Sequence, residues 1–419
     1  MLSIALRGSA LISKFALLFL LAYFLEPKDV ALYGLLVATV GYCIYGLGFD
    51  FYVYSTRELL GASHLHWARL LRDQGMFFIV TYAIVLPLLF VVFVLDLLPW
   101  TTAPWFFFLV VLEHLGQELN RLLVAMSRQL YASCVHFLRG GLWALIVALC
   151  FWKFPSSRSL EFVLSAWVVG ATIACFVGFL VIYKLDRNCL KQPVDWRWVK
   201  RGLKIAFPFL LATLAVRGMF TFDRYWIEIT AGENVLASYV LFAGVASTVT
   251  AFLDAGVFVF SYPKLIVFCK EKDCDAFSNG MRILLIQTSV ISFLLSVLAA
   301  ALIHPVLMLI GKDIYIENVG ILYVMLGAIF IYAISMVPHY GLYAMSQDAV
   351  IIKIHLLSFV LFLLISAFFT VFMPVYGVPL ALCGTFFAMV VGKTIAYIKF
   401  REKQEWSVKG RNFIEYTDG

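Results

Sequence analysis

Residues 75–96 read GMFFIVTYAIVLPLLFVVFVLD and carry no charge before Asp96. A helix needs about 20 apolar residues to cross ~30 Å of hydrocarbon, and this stretch has that length. Its apolar residues follow one another without alternation, whereas the strands of an outer-membrane β-barrel alternate apolar and polar residues. The stretch therefore predicts a transmembrane helix.

The composition extends this interpretation to the whole chain. Of 419 residues, 63% are hydrophobic and 14% are charged, whereas a soluble domain has about 25% charged residues. This composition excludes a soluble enzyme, a disordered chain and a collagen-like fibre. The net charge of +7 is typical of basic loops beside a membrane, so we expect no nucleic-acid partner.

Twelve stretches share the character of residues 75–96. They lie at 4–25, 30–53, 75–96, 104–126, 132–152, 160–183, 205–228, 235–260, 282–304, 318–340, 350–373 and 376–398. We therefore predict an all-α polytopic membrane protein with about 12 transmembrane helices.

The basic residues predict how these helices are oriented. With the N-terminus inside, 21 of the 32 Lys and Arg residues fall in cytoplasmic segments and four in outer loops. This bias places both termini in the cytoplasm. The largest basic loop lies near the middle of the chain, so we predict four parts: an N-terminal six-helix lobe (1–184), a basic cytoplasmic linker (185–204), a C-terminal six-helix lobe (205–398) and a cytoplasmic tail (399–419).

A weak internal repeat favours two related lobes. A shift of 206 residues aligns Tyr33 with Tyr239 and Leu35 with Leu241. Parallel repeats of six helices are a known transporter design, with the substrate site at the interface between the repeats. We therefore expect two six-helix lobes around a central cavity, and alternating-access transport.

Several charges lie deep in the predicted spans, where each costs about 2.5–3.5 kcal/mol. The first span carries Arg7 and Lys14 on one helix face, and the seventh carries Arg217 and Arg224 with the same spacing. The fourth and fifth spans add a polar set: His114, Gln117, Glu118, Arg121, His136 and Arg139. Two other lysines, Lys353 and Lys393, lie near span ends, where we expect them to snorkel toward the headgroups.

The deep cations outnumber the deep anions. Five cations, Lys14, Arg217, Arg224, Arg139 and Arg121, stand against Glu113, Glu118 and Asp223. Excess charge needs a wet cavity or a ligand, and guanidinium groups bind phosphate in a bidentate manner. We expect these five cations to bind an anionic substrate. The alternative is internal pairing, since Glu118 can reach Arg121 and Asp223 is adjacent to Arg224.

The substrate is expected to be amphiphilic because no extramembrane domain is predicted to receive a free metabolite. A polyprenyl diphosphate sugar has this chemistry, and Tyr23, Tyr225 and Trp226 are candidates to line its glycan. Glu118, Asp223 and His114 are candidates for ion coupling or charge pairing. Cys269 and Cys274 share a loop without a nearby His, so we expect no metal site, and no catalytic residue is predicted.

Five motifs, in this order, resemble those of bacterial polysaccharide transporters of the O-antigen flippase (Wzx) type. They are the runs ALRGSALISKF from Ala5, EPKDVALYGL from Glu26, GFDFYVYSTREL from Gly48, FLRGGLW from Phe137 and FDRYWIE from Phe222. The resemblance implies the multidrug/oligosaccharidyl-lipid/polysaccharide exporter fold, with the first and seventh helices lining the cavity.

It also implies a function. Such proteins move undecaprenyl-diphosphate-linked oligosaccharide, a repeat unit of lipopolysaccharide O-antigen or another surface polysaccharide, across the bacterial inner membrane. The resemblance implies no cofactor beyond an ion gradient, of protons or sodium. Membrane lipids are expected partners, and polysaccharide assembly proteins are further candidates.

Two other functions remain open. A multidrug or organic-cation exporter of the same superfamily needs an acidic, aromatic cavity, whereas the deep surplus here is positive. A membrane glycan polymerase, ligase or acyltransferase needs acid and base residues on a large outer loop, and the predicted outer loops are short. The sequence thus favours a transporter over an enzyme.

Overall fold

Every regular element in the described part of the chain is helical. The computed structural model describes residues 2–62, 64–183 and 193–415, and it describes side chains in these ranges except at 64, 65 and 404–415. The α-helices are α1 (Leu2–Phe24), α2 (Pro27–Gly48), α3 (Tyr52–Gly61), α4 (His64–Leu88), α5 (Val91–Val94), α6 (Ala103–Ala125), α7 (Gln129–Phe137), α8 (Trp143–Lys153), α9 (Leu160–Ile182), α10 (Trp196–Ala231), α11 (Glu233–Leu253), α12 (Val259–Glu271), α13 (Cys274–Ile310), α14 (Asp313–Glu317), α15 (Gly320–Ala344), α16 (Asp348–Phe372) and α17 (Gly377–Glu415).

Two π-helical turns join helices into longer rods. Leu138–Leu142 connects α7 to α8, and Asp254–Phe258 connects α11 to α12. Short 3-10 turns occupy Trp100–Thr102 and Pro155–Ser157. The fifth and eighth predicted spans therefore each contain a π-turn, a feature often found at functional positions of helices.

The all-α polytopic fold is confirmed. Eleven stretches of the described residues are helices long and apolar enough to cross a membrane. Helix α6 has comparable length, but its polar residues lower its hydropathy. Each of the twelve predicted spans thus overlaps one helix or two consecutive helices. The second, 30–53, ends too late, because α2 stops at Gly48 and the chain turns at Phe49 and Asp50, which have positive φ.

Several helices carry large apolar side chains that other residues leave exposed. On α13, Ile286 and Phe293 are exposed, and on α16, Leu364 and Phe368 are exposed. Exposed apolar surface of this extent is typical of contact with lipid rather than water. The arrangement therefore agrees with a membrane-embedded helical protein.

The predicted linker is described only in part. Residues 185–192 lie outside the described residues, and α10 already begins at Trp196, ahead of the predicted start at residue 205. At the other end, α17 continues through residues predicted as a tail. The chain divides into two compact units, Met1–Tyr225 and Trp226–Gly419, while the predicted lobe boundaries stay a prediction.

In the first compact unit, α6 packs against α2, α7 and α9, while α1 packs against α7, α8 and the π-turn between them. A glycine pair in this π-turn allows the close approach of α1. A Cβ on Gly141 would stand 2.9 Å from the Cα of Ala10. Only a residue without a side chain fits at that contact.

In the second compact unit, α15 is a central helix that packs against α11, α13 and α17. Large side chains fill this core, and Tyr239, Phe362 and Phe386 are fully buried. Lys393 of α17, whose amine carries a charge in aqueous solution, is also fully buried in this unit. The prediction that Lys393 snorkels to the headgroups is therefore wrong.

Candidate substrate-binding site

Glu113 of α6 lies at the centre of the first group of charges, which we call the Glu113 cluster (Lys14, Glu113, Arg139 and Trp167). The Trp167 indole donates a hydrogen bond to Oε1 of Glu113 at 2.8 Å. Nε of Arg139 lies 3.5 Å from Oε2, and its Nη1 donates to the Glu113 carbonyl at 3.3 Å. The carboxylate is buried and held from two other helices.

Lys14 of α1, the other basic member of the cluster, lies against Gly140 of the π-turn. Its Cε would lie 2.7 Å from a Cβ built on Gly140, so the lysine stem lies directly on this glycine. Glu113 and Arg139 are both within electrostatic range of its ammonium. Because one carboxylate serves two cations, the cluster keeps an excess positive charge.

Lys14 is exposed although it lies near the middle of its helix. At 1.5 Å per residue it stands about 18 Å from Leu2 and about 15 Å from Phe24 along α1. It forms no ion pair with any described residue. An exposed cation at this depth requires a hydrated surface or an anionic ligand.

Arg217 of α10 has the same character. Its side chain is exposed, and its guanidinium lies 5.4 Å from the ring centroid of Tyr45. Among the residues with described side chains it has no ion-pair partner within 4.0 Å, although Asp50 is within electrostatic range. Arg217 and Lys14 are therefore the two predicted binding residues that are open to a ligand.

Arg121 is held more tightly. Its Nη1 donates to Oε1 of Glu118 at 2.6 Å, and its guanidinium lies 3.5 Å from the Tyr52 ring centroid. Gln74 donates to the other oxygen of Glu118 at 3.0 Å. These contacts agree with the alternative given above, in which Arg121 is paired internally with Glu118.

Arg224 is also paired internally. Its Nη1 donates to Oδ1 of Asp223 at 3.1 Å and to the carbonyl of Phe220. Asp223 accepts the backbone N–H of Arg224 as well, at 2.7 Å. The carboxylate and guanidinium thus hold one another on a single turn of α10.

His114 lies in a packed interior, within electrostatic range of Arg121. Tyr82 Oη and His114 Nδ1 are 2.5 Å apart, and Gly48 leaves the space that the imidazole occupies. The ring is 1% exposed. Its role in ion coupling, like those of Glu118 and Asp223, stays a prediction.

Of the aromatic residues predicted to line a glycan site, Tyr225 is buried and its hydroxyl is hydrogen-bonded to that of Thr39, so it is not free to line a cavity. Tyr23 is exposed. The indole of Trp226 donates to Thr370 at 3.2 Å.

Sequence reasoning missed the residues that complete these groups. Trp167, Gln74 and Tyr52 reach the carboxylates and Arg121 from other helices, and no spacing in the sequence indicates such contacts. In the second unit, His339 and His355 were also missed, although a histidine inside an apolar span is itself a signal of function. Among the described residues, no three His, Cys, Asp or Glu side chains form a group that could hold a metal.

The fold matches solved transporter structures over almost the whole chain. The match to an inward-facing multidrug resistance MATE family transporter of the MOP superfamily has a TM-score of 0.76 and 12% identity, over 97% of this chain and 99% of the other. The chain has the MATE transporter fold. A MATE structure in the bent conformation matches with a TM-score of 0.63 and 11% identity, over 96% and 94% of the two chains.

The Vibrio cholerae MATE transporter VcmN in its bent form also matches, with a TM-score of 0.51 and 12% identity over 97% and 99% of the two chains. These proteins are transporters rather than enzymes. Neither a family model nor a curated protein matches the sequence. The predicted exporter fold is therefore confirmed, while membership of the O-antigen flippase family stays a prediction.

Proposed function

We propose that this MATE-like protein exports an anionic amphiphile, and that Lys14 and Arg217 receive its phosphate. The observation that carries the proposal is that both cations are exposed near mid-helix and form no ion pair with described residues. A dry position would cost each of them about 2.5–3.5 kcal/mol or more. A phosphate ligand would compensate both charges.

Arg139 is the paired cation best placed to join them. Its contacts to Glu113, at 3.5 and 3.3 Å, are longer than the 2.6 Å contact of Arg121 with Glu118. Longer charge-assisted contacts are weaker. We therefore assign Arg139 a direct role in binding, with Arg121 and Arg224 contributing mainly to the positive field.

The specific cargo that we propose is an undecaprenyl-diphosphate-linked oligosaccharide, moved from the inner to the outer leaflet of the bacterial inner membrane by alternating access. Its diphosphate would meet the cations and its tail would remain in lipid. This assignment includes cytoplasmic termini and the polysaccharide assembly machinery as partners. The excess positive charge at the Glu113 cluster supports it.

Export of organic cations is the second candidate. The matched structure with the highest TM-score given above is a multidrug resistance transporter, and the first unit holds buried carboxylates that could receive a cation. Glu113 and Glu118 are, however, already held by arginines at 3.5 and 2.6 Å. The charge of the site therefore supports the anionic cargo, although the shared fold by itself favours drug export.

Complementation separates the two candidates. Cells that lack their own O-antigen flippase should regain surface glycan with the wild-type chain and with Lys353→Ala, an exposed lysine of α16 used as the control. Lys14→Ala and Arg217→Ala should each lose most of this activity. Full restoration by both variants would contradict the proposal, and wild-type resistance to cationic dyes without glycan export would support the second candidate.

A further inference from the structure

Three basic side chains meet inside the second compact unit. Lys393 of α17 is fully buried, and its Nζ has no hydrogen-bond partner among the described residues. Nδ1 of His339 in α15 is also buried, and no described side chain or backbone group forms a hydrogen bond with it. The His339 ring stacks on that of His355 in α16, with a centroid distance of 5.6 Å and an interplanar angle of 3°. Lys393 lies within electrostatic range of both rings.

No described carboxylate forms an ion pair with Lys393 or with either histidine. Besides the three residues of the group, the titratable or charged side chains described on α15, α16 and α17 are Tyr323, Tyr332, Tyr340, Tyr343, Asp348, Lys353, Cys383, Tyr397, Lys399, Arg401, Glu402 and Lys403. The elements packed against α15 add Glu233 and Tyr239 of α11, Asp254 of the second π-turn, which acts on Tyr340, Tyr262, Lys264, Cys269, Lys270 and Glu271 of α12, and Cys274, Asp275, Arg282 and His304 of α13. None of them forms a hydrogen bond with Nζ of Lys393. Among the described residues, the charges that act on His339 are those of Lys393 and His355, and the charge that acts on His355 is that of Lys393.

Simple packing does not account for these residue types. An unpaired charge in an apolar interior is strongly unfavourable, and positive charges on Lys393, His339 and His355 would also repel one another. A methionine would fill the volume of Lys393 without a polar atom. Basic nitrogens at this place therefore need a ligand or an exchangeable proton.

The chemistry of the group selects among ions. Amine and imidazole nitrogens offer no oxygen ligands, which hard cations such as Na⁺ and Ca²⁺ require. They do bind protons, and a histidine changes its charge in the physiological pH range. A proton also binds directly to a nitrogen lone pair and needs no cavity between the side chains.

We propose that Lys393, His339 and His355 form a proton-binding site whose occupancy changes when its helices open to water. Protonation of the exposed group and loss of that proton on repacking would link a conformational change in the second unit to a proton gradient. The binding site does not depend on the cargo, whereas its use to drive export rests on the proposed function.

Transient currents in proteoliposomes test the site without any cargo. Purified full-length protein on a solid-supported membrane is exposed to a pH jump from about 8 to about 6, a range that spans the ordinary titration of histidine. The wild type should give a charge displacement, which Lys393→Met and His339→Gln should abolish. Lys353→Met, which removes an exposed lysine of α16, should keep it, and a jump in Na⁺ concentration should give no current.

Three results would overturn the proposal. They are a wild type without a pH-evoked current, variants Lys393→Met and His339→Gln with full currents, or a sodium-evoked current that Lys393→Met removes. Each variant is first checked for a single symmetric peak in size-exclusion chromatography, and His355→Gln replaces any variant that fails this check. A site confirmed by currents in a protein that exports no glycan would contradict the proposed cargo alone.

Discussion

The five cations predicted to bind substrate fall into two groups by their partners. Arg121, Arg139 and Arg224 each contact a carboxylate within 3.5 Å, whereas Lys14 and Arg217 are exposed and have no such contact among the described residues. Removing one member of a buried ion pair leaves the other charge uncompensated. The two groups should therefore respond differently to substitution.

Lys14→Met and Arg139→Met make this contrast measurable. Lys14→Met removes a cation without a close partner, so the thermal midpoint of the purified protein should stay the same or rise. Arg139→Met leaves the Glu113 carboxylate with the Trp167 indole and with Lys14, which does not form an ion pair with it, and should destabilise the fold by about 3–5 kcal/mol. Both variants should lose glycan export in the complementation assay. A large loss of stability in Lys14→Met would mean that this lysine is structural.

Arg217→Lys tests how the phosphate is held. A guanidinium can bind two phosphate oxygens at once, whereas an ammonium acts as a point charge. We expect Arg217→Lys to retain more export than Arg217→Ala but less than the wild type, measured as surface glycan per cell. A lysine variant as active as the wild type would show that charge alone is sufficient.

At the residue scale, the sequence predicts only local contacts. The pairs Glu118 with Arg121 and Asp223 with Arg224 lie within one helical turn, so their spacing indicated them. The contact of Glu113 with Arg139 joins different helices and left no such signal. Lys393 was misjudged because α17 continues beyond the apolar stretch, so the lysine lies inside a packed bundle rather than at a helix end.

Among the elements, the π-turn Leu138–Leu142 combines a binding residue with a packing contact. It carries Arg139 toward Glu113, while its glycines receive α1. The two glycines have different neighbours: a Cβ on Gly140 would meet the mobile end of Lys14 at 2.7 Å, and one on Gly141 would meet the backbone of Ala10 at 2.9 Å. Their substitution should therefore have different effects.

Gly140→Ala and Gly141→Ala separate function from stability. Gly141→Ala forces backbone apart and should destabilise the protein by about 1–3 kcal/mol. Gly140→Ala should displace the Lys14 side chain, reduce export and leave the thermal midpoint nearly unchanged. Gly46→Ala is the matched control, because nothing lies within 4 Å of its Cβ position. Equal midpoints for Gly141→Ala and Gly46→Ala would contradict the close approach of α1.

Helix positions were predictable, but their ends were not. Hydropathy locates the apolar part of each helix, as it did for residues 205–228, whereas α10 begins at Trp196 and ends at Ala231. A basic stretch at its N-terminal end continues the helix without an apolar signal. The π-turns were also not predicted, since they change backbone hydrogen bonding without a composition of their own.

For the whole molecule, composition and basic-residue bias predicted a helical membrane protein, and the structural matches confirm the fold. Composition and basic-residue bias did not predict which helices form each compact unit. Most of α10, with Arg217 and Arg224, belongs to the first unit, although the sequence placed this helix at the start of the second lobe. Apolar patterns give the number of helices but do not encode which helices pack together.

A shared fold does not fix the cargo of a transporter. With its positive site, this protein should not protect drug-sensitive cells from cationic dyes, measured as the minimum inhibitory concentration with and without expression. The double variant Lys14→Ala and Arg217→Ala should remain equally unprotective. A several-fold rise in resistance with the wild type would contradict an anionic site.

The most direct measurement is the water accessibility of positions 14 and 217. Lys14→Cys and Arg217→Cys are introduced separately into a cysteine-free background and labelled in native membranes with a charged maleimide. Both should react, and a soluble diphosphate should slow the reaction, while a cysteine in place of Phe293 on the exposed apolar face of α13 should stay unlabelled. If neither position reacts, or if diphosphate protects neither, the two cations do not form an open phosphate site and the central claim is wrong.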